Sequence, residues 1–202
     1  MESTAGIGLW GALEMADKNA TLAINSLHSP TTDLIWQFFS DKEVWYPLYL
    51  GFLVYIFIKM GWKKATVVTL ACVLTIVACD QFSNFCKEFF ARLRPCVDPY
   101  MLENGLHMLE GVGNQYGFYS AHAANAMGFA VSSLVGLRAD TARKHRIWAP
   151  VICVWGLLVG ISRIFVGKHF LGDVIVGLLI GALFGWLLAS VGNWIIRRFF
   201  RQ

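Results

Sequence analysis

Five apolar runs constrain this chain more than anything else in it: Val44 to Met60, Ala65 to about Cys86, Tyr119 to Leu137, Trp148 to Val166 and Phe170 to Ile196. Each is near or above the roughly 20 residues that a helix needs to cross a bilayer, the first being short and the last long enough to extend past it. Backbone groups in hydrocarbon find partners only within their own segment, so runs of this kind are helices. The expected fold is all-α, a polytopic membrane helix bundle of about five transmembrane helices. A hydrophobic content of 56% and a mean hydropathy of +0.54 are too high for an ordinary soluble domain, and 202 residues suit a single one.

The segment before the first run has no basic stretch leading into an apolar core, so it is expected to be retained rather than cleaved as a signal peptide. Leu9, Leu13, Ala16, Ala20, Ile24 and Leu27 recur at helical spacing opposite Asp17, Lys18 and Asn19, which suits an amphipathic helix lying in the membrane interface. A second short helix is expected from Ser29 as N-cap and Pro30 at its first position, through Leu34 and Phe38, to about Ser40. This divides the chain into N-terminal interfacial helices, residues 1–43, and a transmembrane domain, residues 44–202.

The formal charge of +4 is spread over short loops between apolar runs, which argues against nucleic acid as a partner and for the bilayer. Lys59, Lys63, Lys64, Arg138, Arg143, Lys144, Arg146, Arg197, Arg198 and Arg201 gather on one side with only Asp140 opposing them, and that side is expected to be cytoplasmic. The amino terminus, the Pro95 to Phe118 loop and the region of His169 then face outward. Cys72, Cys79 and Cys86 recur every seven residues as small packing residues, and Cys86 and Cys96 are expected to be free thiols, a disulfide near the membrane surface being the less favoured option. Gly177, Gly181 and Gly185 form a small-residue stripe suited to close packing within a monomer, or to a homodimer seam as the less favoured option.

Ionisable residues beside apolar runs are costly and mark three clusters. In Ser162 to Asp173, S-R-I-F-V-G-K-H-F-L-G-D, His169 and Asp173 stand i,i+4 at the opening of a helix. The carboxylate there reaches one imidazole nitrogen and leaves the other free to attack, while Arg163 is placed to clamp a phosphoryl oxygen. In the second cluster Asp80, Asn84, Lys87 and Arg94 share one helical face that Pro95 ends, with Arg92 directed elsewhere as a surface charge. Asp80 either holds Asn84 or a water near Lys87, or makes a polar helix-packing contact. In the third, Ser120 is an N-cap whose following amides suit an anion, His122 lies in the first turn and Asn125 is placed to orient it. His28, His107 and His145 have no such company, and no further Asp, Glu, His or Cys cluster has metal-site spacing.

Taken together, Lys87-Glu-Phe-Phe-Ala-Arg-Leu-Arg94-Pro95, Ser120-Ala121-His122 and Ser162-Arg163 through His169 to Asp173 resemble the three motifs of the type 2 phosphatidic acid phosphatase superfamily, in its integral-membrane branch. The resemblance runs from about Ala65 to the carboxyl terminus. It departs in the second motif, where Tyr119-Ser120-Ala121-His122 stands for the usual Pro-Ser-Gly-His and Ala121 adds a methyl beside the phosphate. The resemblance implies that His169 is the nucleophile forming a phosphohistidine, Asp173 its orienting partner and His122 the acid for the leaving oxygen. It implies too that Lys87, Arg94, Arg163, Ser120 and the Ala121 amide hold the phosphoryl oxygens, with Asp80, Asn84 and Asn125 behind them. No metal and no cofactor is expected, since three cations already neutralise the phosphate.

The implied substrates are lipid phosphates met at the outer face of a bacterial cytoplasmic membrane: undecaprenyl diphosphate, phosphatidylglycerophosphate, phosphatidic acid or a lipid A phosphate. Rival readings are a lipid phosphotransferase, a non-enzymatic lipid-phosphate binding or transport protein, and a vanadate-dependent haloperoxidase, whose known relatives are soluble.

Overall fold

The apolar runs become helices at nearly the boundaries their composition sets. The computed structural model describes residues 8–200, so residues 1–7, and Arg201 of the basic set, lie outside the described residues. Eight α-helices follow in order: α1 (Leu9–Asn25), α2 (Pro30–Ser40), α3 (Tyr46–Met60), α4 (Trp62–Phe90), α5 (Pro99–Glu103), α6 (Ala121–Leu137), α7 (Trp148–Phe165) and α8 (Leu171–Phe199). No β-strand occurs among the described residues. Four helices are long and apolar enough to cross a membrane: α3 with the 3₁₀ turn before it, α4, α7 and α8. The shorter α6, with 17 residues, lies at the lower limit of about 17 for a span.

That short helix is the centre of the bundle. Its buried positions are mostly small (Ala123, Ala124, Ala126, Gly128, Ala130, Ser132, Ser133 and Gly136), which lets α4, α7 and α8 all pack on it. The stripe on α8 meets it there. A Cβ at Gly177 would lie 2.6 Å from the Ser120 carbonyl and one at Gly185 2.5 Å from that of Gly128, so the glycines are filled from within the chain. The outer faces carry the large apolar residues, among them Leu50, Ile58, Leu70, Leu74, Val151, Leu179 and Val191, all exposed. This reverses the pattern of a soluble protein and marks an integral membrane protein whose outer faces meet lipid.

The amino-terminal helices close one end of the bundle. Ser29 caps α2 in a reciprocal capping box with Thr32, as the Ser29-Pro30 pair predicts. In α1 the polar face turns inward: Thr21 and Asn25 are fully buried, while Leu9, Trp10, Leu13 and Leu27 are exposed. Asn25 shows why. Its Nδ2 donates to the carbonyls of His107, Ile164 and Phe165, and its Oδ1 accepts the His107 amide at 2.8 Å, which ties α1 to the end of α7 and to the loop at His107.

One sequence expectation needs correction, and one open alternative is decided. Helix α4 does not run to Pro95: Ala91 takes the left-handed conformation at φ 44° and donates its amide to the Lys87 carbonyl, ending the helix at Phe90. Residues 92–94 then run beside 115–117, with Arg94 N–H donating to Gln115 O and Gly117 N–H to Arg92 O, both at 2.9 Å. Arg94 therefore shares no helical face with Asp80. All five cysteines are free, so Cys86 and Cys96 do not pair; the Cys96 thiol instead points to the Val112 carbonyl.

Candidate active site

Beneath the amino-terminal cap, the end of α4, the start of α6 and the α7–α8 turn surround a cavity of about 540 Å³. Asp80, Asn84, Lys87, Arg94, Ala121, His122, Asn125, Arg163 and His169 line it, so nine of the eleven candidate residues meet there. Ser120 and Asp173, both fully buried, stand directly behind. Tyr46, Tyr49, Ile76, Ala126, Trp155 and Val159 also line the cavity; Ile76, Ala126 and Val159 stand one helical turn from Asp80, His122 and Arg163 on the same helices.

His169 owes its place to a tight turn. Gly167, at φ 78°, bends the chain back so that Lys168 and His169 both donate their amides to the Arg163 carbonyl, at 3.0 and 3.1 Å. The imidazole is 2% exposed, and its buried Nδ1 faces Asp173 Oδ2 at 3.5 Å, longer than a hydrogen bond. Nε2 is left for the cavity. Burial pushes the imidazole down to about 4 from its usual 6.5, against the pull of Asp173 and aided by Arg163 and Arg94, so it is unprotonated near neutrality. Asp173 sits in the first turn of α8, where its Oδ2 also accepts the Phe170 amide at 3.1 Å. Its backbone carbonyl takes the Ser120 amide, which ties the starts of α6 and α8 together.

Ser120 is the N-cap of α6, its hydroxyl accepting the Ala123 amide at 3.4 Å. Lys87 and His122 have no side-chain hydrogen bond among the described residues, which leaves both free for a substrate in the cavity. Arg94 spends its Nε on the Tyr116 carbonyl at 3.0 Å and keeps its terminal nitrogens. Asn125 donates to Asp80 Oδ1 at 2.8 Å. Asp80 is thus held by Asn125 from α6 rather than by Asn84 of its own helix, and no hydrogen bond joins Asn125 to His122.

Three residues escaped the sequence reading. Glu110 accepts a bidentate pair from Arg163, Nη1 at 3.0 Å and Nη2 at 3.2 Å, and also the Ser40 hydroxyl at 2.5 Å. Arg163 Nη1 bonds Ser40 as well. Burial raises the Glu110 carboxyl, but Arg163, Ser40 and Lys168 outweigh it and hold the group below its usual range. The Nε–H of Arg163 stays buried and unpartnered, a donor available to an anion. Lys168, also buried, binds the carbonyls of Gly111 and Val112 and straps down the loop that carries Glu110. Nothing in an irregular loop has a register from which such a contact could be read. The other two are Arg92 and Asp17. Far from being a surface charge, Arg92 donates to Asp173 Oδ1 at 2.7 Å and to Asp17 Oδ2 at 2.6 Å.

Nor are His28 and His107 solitary. With Asp33 they place three potential ligand atoms within 4.8 Å of one another. The two rings stack face to face, centroids 3.7 Å apart and 8° from parallel, so their in-plane lone pairs run side by side instead of converging on one ion. The group as it stands is a His107–Asp33 pair at 3.0 Å that pins the loop to α2.

Comparison with known proteins agrees with this geometry. The sequence model described as the PAP2 superfamily matches residues 65–197. The chain belongs to that superfamily. It is 30% identical over 185 residues to a protein named lipid A 4'-phosphatase from Bacteroides thetaiotaomicron, spanning 90% of this chain and 79% of that one. A protein of the same name from Porphyromonas gingivalis is 31% identical over 178 residues, 87% of this chain and 72% of that one. In fold, the crystal structure of a transmembrane PAP2 type phosphatidylglycerolphosphate phosphatase from Bacillus subtilis superposes with a TM-score of 0.74 at 21% identity, covering 94% of this chain and 90% of that one. The PAP2 match begins at Ala65, so Asp17, Asn25 and Ser40, which all reach the site or its walls, lie outside it.

Proposed function

We propose that this PAP2 protein is a membrane phosphatase that removes phosphate from a lipid phosphate through a phosphohistidine at His169. The observation that carries the reading is the mixed lining of one cavity: Lys87, Arg94, His122, Arg163 and His169 together with apolar and aromatic residues, among them Tyr49, Ile76, Trp155 and Val159. Such a site takes an anionic head and the lipid stem attached to it.

In the proposed reaction His169 Nε2 attacks phosphorus while the bond from phosphorus to the lipid oxygen breaks. His122 gives its proton to that oxygen, and water then releases phosphate from His169. Lys87, the terminal nitrogens of Arg94, Arg163 Nε–H and the first-turn amides of α6 stabilise the equatorial oxygens, as phosphoryl transfer requires. These cations serve without a divalent metal. The names of the two curated relatives favour a lipid A phosphate over the glycerolipid and undecaprenyl candidates. The site is proposed to face the outside of the cytoplasmic membrane, with α1 and α2 in its outer interface.

The test is phosphate release by the purified protein, in chelator, from micelles of lipid A, phosphatidylglycerophosphate, phosphatidic acid and undecaprenyl diphosphate. Turnover of at least one, fastest on lipid A and abolished in His169→Ala, is expected. A fully active His169→Ala variant, or turnover that returns only with added Mg²⁺, overturns the corresponding part of the proposal.

A further inference from the structure

The carboxylate that faces the nucleophile is itself held from behind. Asp173 is fully buried, with one oxygen turned to His169 Nδ1 and the Phe170 amide and the other to Arg92. A buried carboxylate left without a counter-ion neutralises or reorients. None of the cations on the cavity side hydrogen-bonds Asp173: Arg163 pairs with Glu110, Arg94 gives its Nε to the Tyr116 carbonyl, and Lys87 makes no side-chain hydrogen bond among the described residues. Arg92 is the cation hydrogen-bonded to Asp173.

Its position is over-determined. The guanidinium stacks on the Phe170 ring, 4.2 Å from the centroid, and its second nitrogen binds Asp17 of α1. Asp17 in turn accepts the Gly172 amide at 2.7 Å, and Thr21, one turn on, accepts the Leu171 amide at 2.9 Å. The amino-terminal helix therefore caps the first turn of α8, where the dyad sits, and holds the arginine behind it. Gly172 leaves the room, since a Cβ there would lie 2.8 Å from Asp17 Oδ2.

We infer that Arg92 is a positioning residue that, gripped by Asp17, fixes Asp173 and through it the nucleophile His169, which makes helix α1 part of the catalytic apparatus. The inference rests on the proposed role of His169. The groups that face the His169–Asp173 pair are Arg163, Arg94, Lys87 and His122 from the cavity and Arg92 and Asp17 from behind. Removing Arg92 leaves Asp173 with the Phe170 amide and the imidazole, and with no cation hydrogen-bonded to it, so His169 retains its proton to higher pH. A planar fork bridges two carboxylates as an ammonium does not, so Arg92→Lys restores charge without geometry.

The experiment compares wild type, Arg92→Gln, Arg92→Lys and Asp17→Asn as monodisperse protein in detergent. Arg92→Gln is expected to lower kcat about 10- to 100-fold, the usual size of such an outer contact, with KM and inhibition by orthovanadate changed far less. The acid limb of kcat/KM should move to higher pH in Arg92→Gln, return in Arg92→Lys while kcat stays low, and Arg92→Gln with Asp17→Asn combined should cost less than the two separately. The pH midpoint for carbethoxylation of His169, read by mass spectrometry, should follow the same order and needs no turnover. Wild-type activity lost in His169→Ala shows that the proposed function stands, whatever Arg92 does. An unmoved pH limb and carbethoxylation midpoint, with only thermal stability reduced, overturn the inference. Should Arg92→Gln fail to fold, Arg92→Lys and Asp17→Asn decide by the same two readouts.

Discussion

His122 and His169 share a cavity but not a setting. His169 is backed by a carboxylate and shut in by its turn, whereas His122 rises from the first turn of α6 with no side-chain partner among the described residues. The first suits a nucleophile and the second a proton donor. If His122 protonates the leaving oxygen, its value depends on how badly that oxygen needs a proton: an alkoxide leaving a phosphomonoester needs one, while phosphate leaving a diphosphate departs nearly unaided. General acid catalysis is typically a 10²–10⁴-fold effect, so His122→Ala should fall mostly within that range on a lipid monoester and far less on a lipid diphosphate in the same micelles. Equal losses on both would remove the acid role. The residues proposed for this chemistry were legible because three separate stretches of the chain resemble the motifs of one superfamily; spacing within each stretch did not by itself join them. Glu110 and Arg92 were not, since one lies in a loop without period and the other follows a helix end that a left-handed alanine sets four residues earlier than Pro95 suggests.

At the scale of elements, hydropathy fixed the helices to within a few residues, because a span is set by the apolar length the bilayer demands. It did not show which helix is central. The centre is α6, chosen by its small residues and by the α8 glycines that close on it. At Gly181 a Cβ would collide with the Ala124 backbone, which a rotamer change does not relieve. Gly181→Leu should therefore lower the thermal stability of the detergent-solubilised protein by several degrees, with lost activity following lost fold. A variant that stays folded at the wild-type midpoint would show α6 and α8 able to separate. The amphipathic pattern of α1 was legible too, but not its sense: the face that enters the protein is the polar one, because the ends of α7 and α8 offer it carbonyls and amides to satisfy.

The whole molecule is polarised, and two predictions follow the polarity. Acid should unfold it from the site end. His169 has a folded value of about 4 against an ordinary 6.5, so the unfolded chain binds the extra proton and stability falls as pH drops from about 6.5 to about 4. Glu110, held below its usual range, continues the loss below that as its carboxylate takes up a proton. Thermal midpoints measured from pH 7.5 to 4 should fall in wild type and flatten over the upper part in His169→Asn; parallel curves would deny the linkage. The proposed orientation rests on the other end. Among the described residues, nine Lys and Arg lie at the helix ends and connections away from the site, with Arg143 reaching the Lys59 carbonyl across two helix ends. Of the seven at the site end, four are engaged by acids or carbonyls: Lys18 by Glu14 and Asp98, Arg92 by Asp17 and Asp173, Arg163 by Glu110, Lys168 by loop carbonyls. Free positive charge thus collects at one end, the bias that retains loops in the cytoplasm. A reporter fused after Gln202 should read cytoplasmic, and a cysteine placed at Asn114, in the loop beside the site, should react with an impermeant thiol reagent on intact spheroplasts. A periplasmic reporter with a protected Asn114 cysteine would invert the molecule and put the cavity against the inner leaflet.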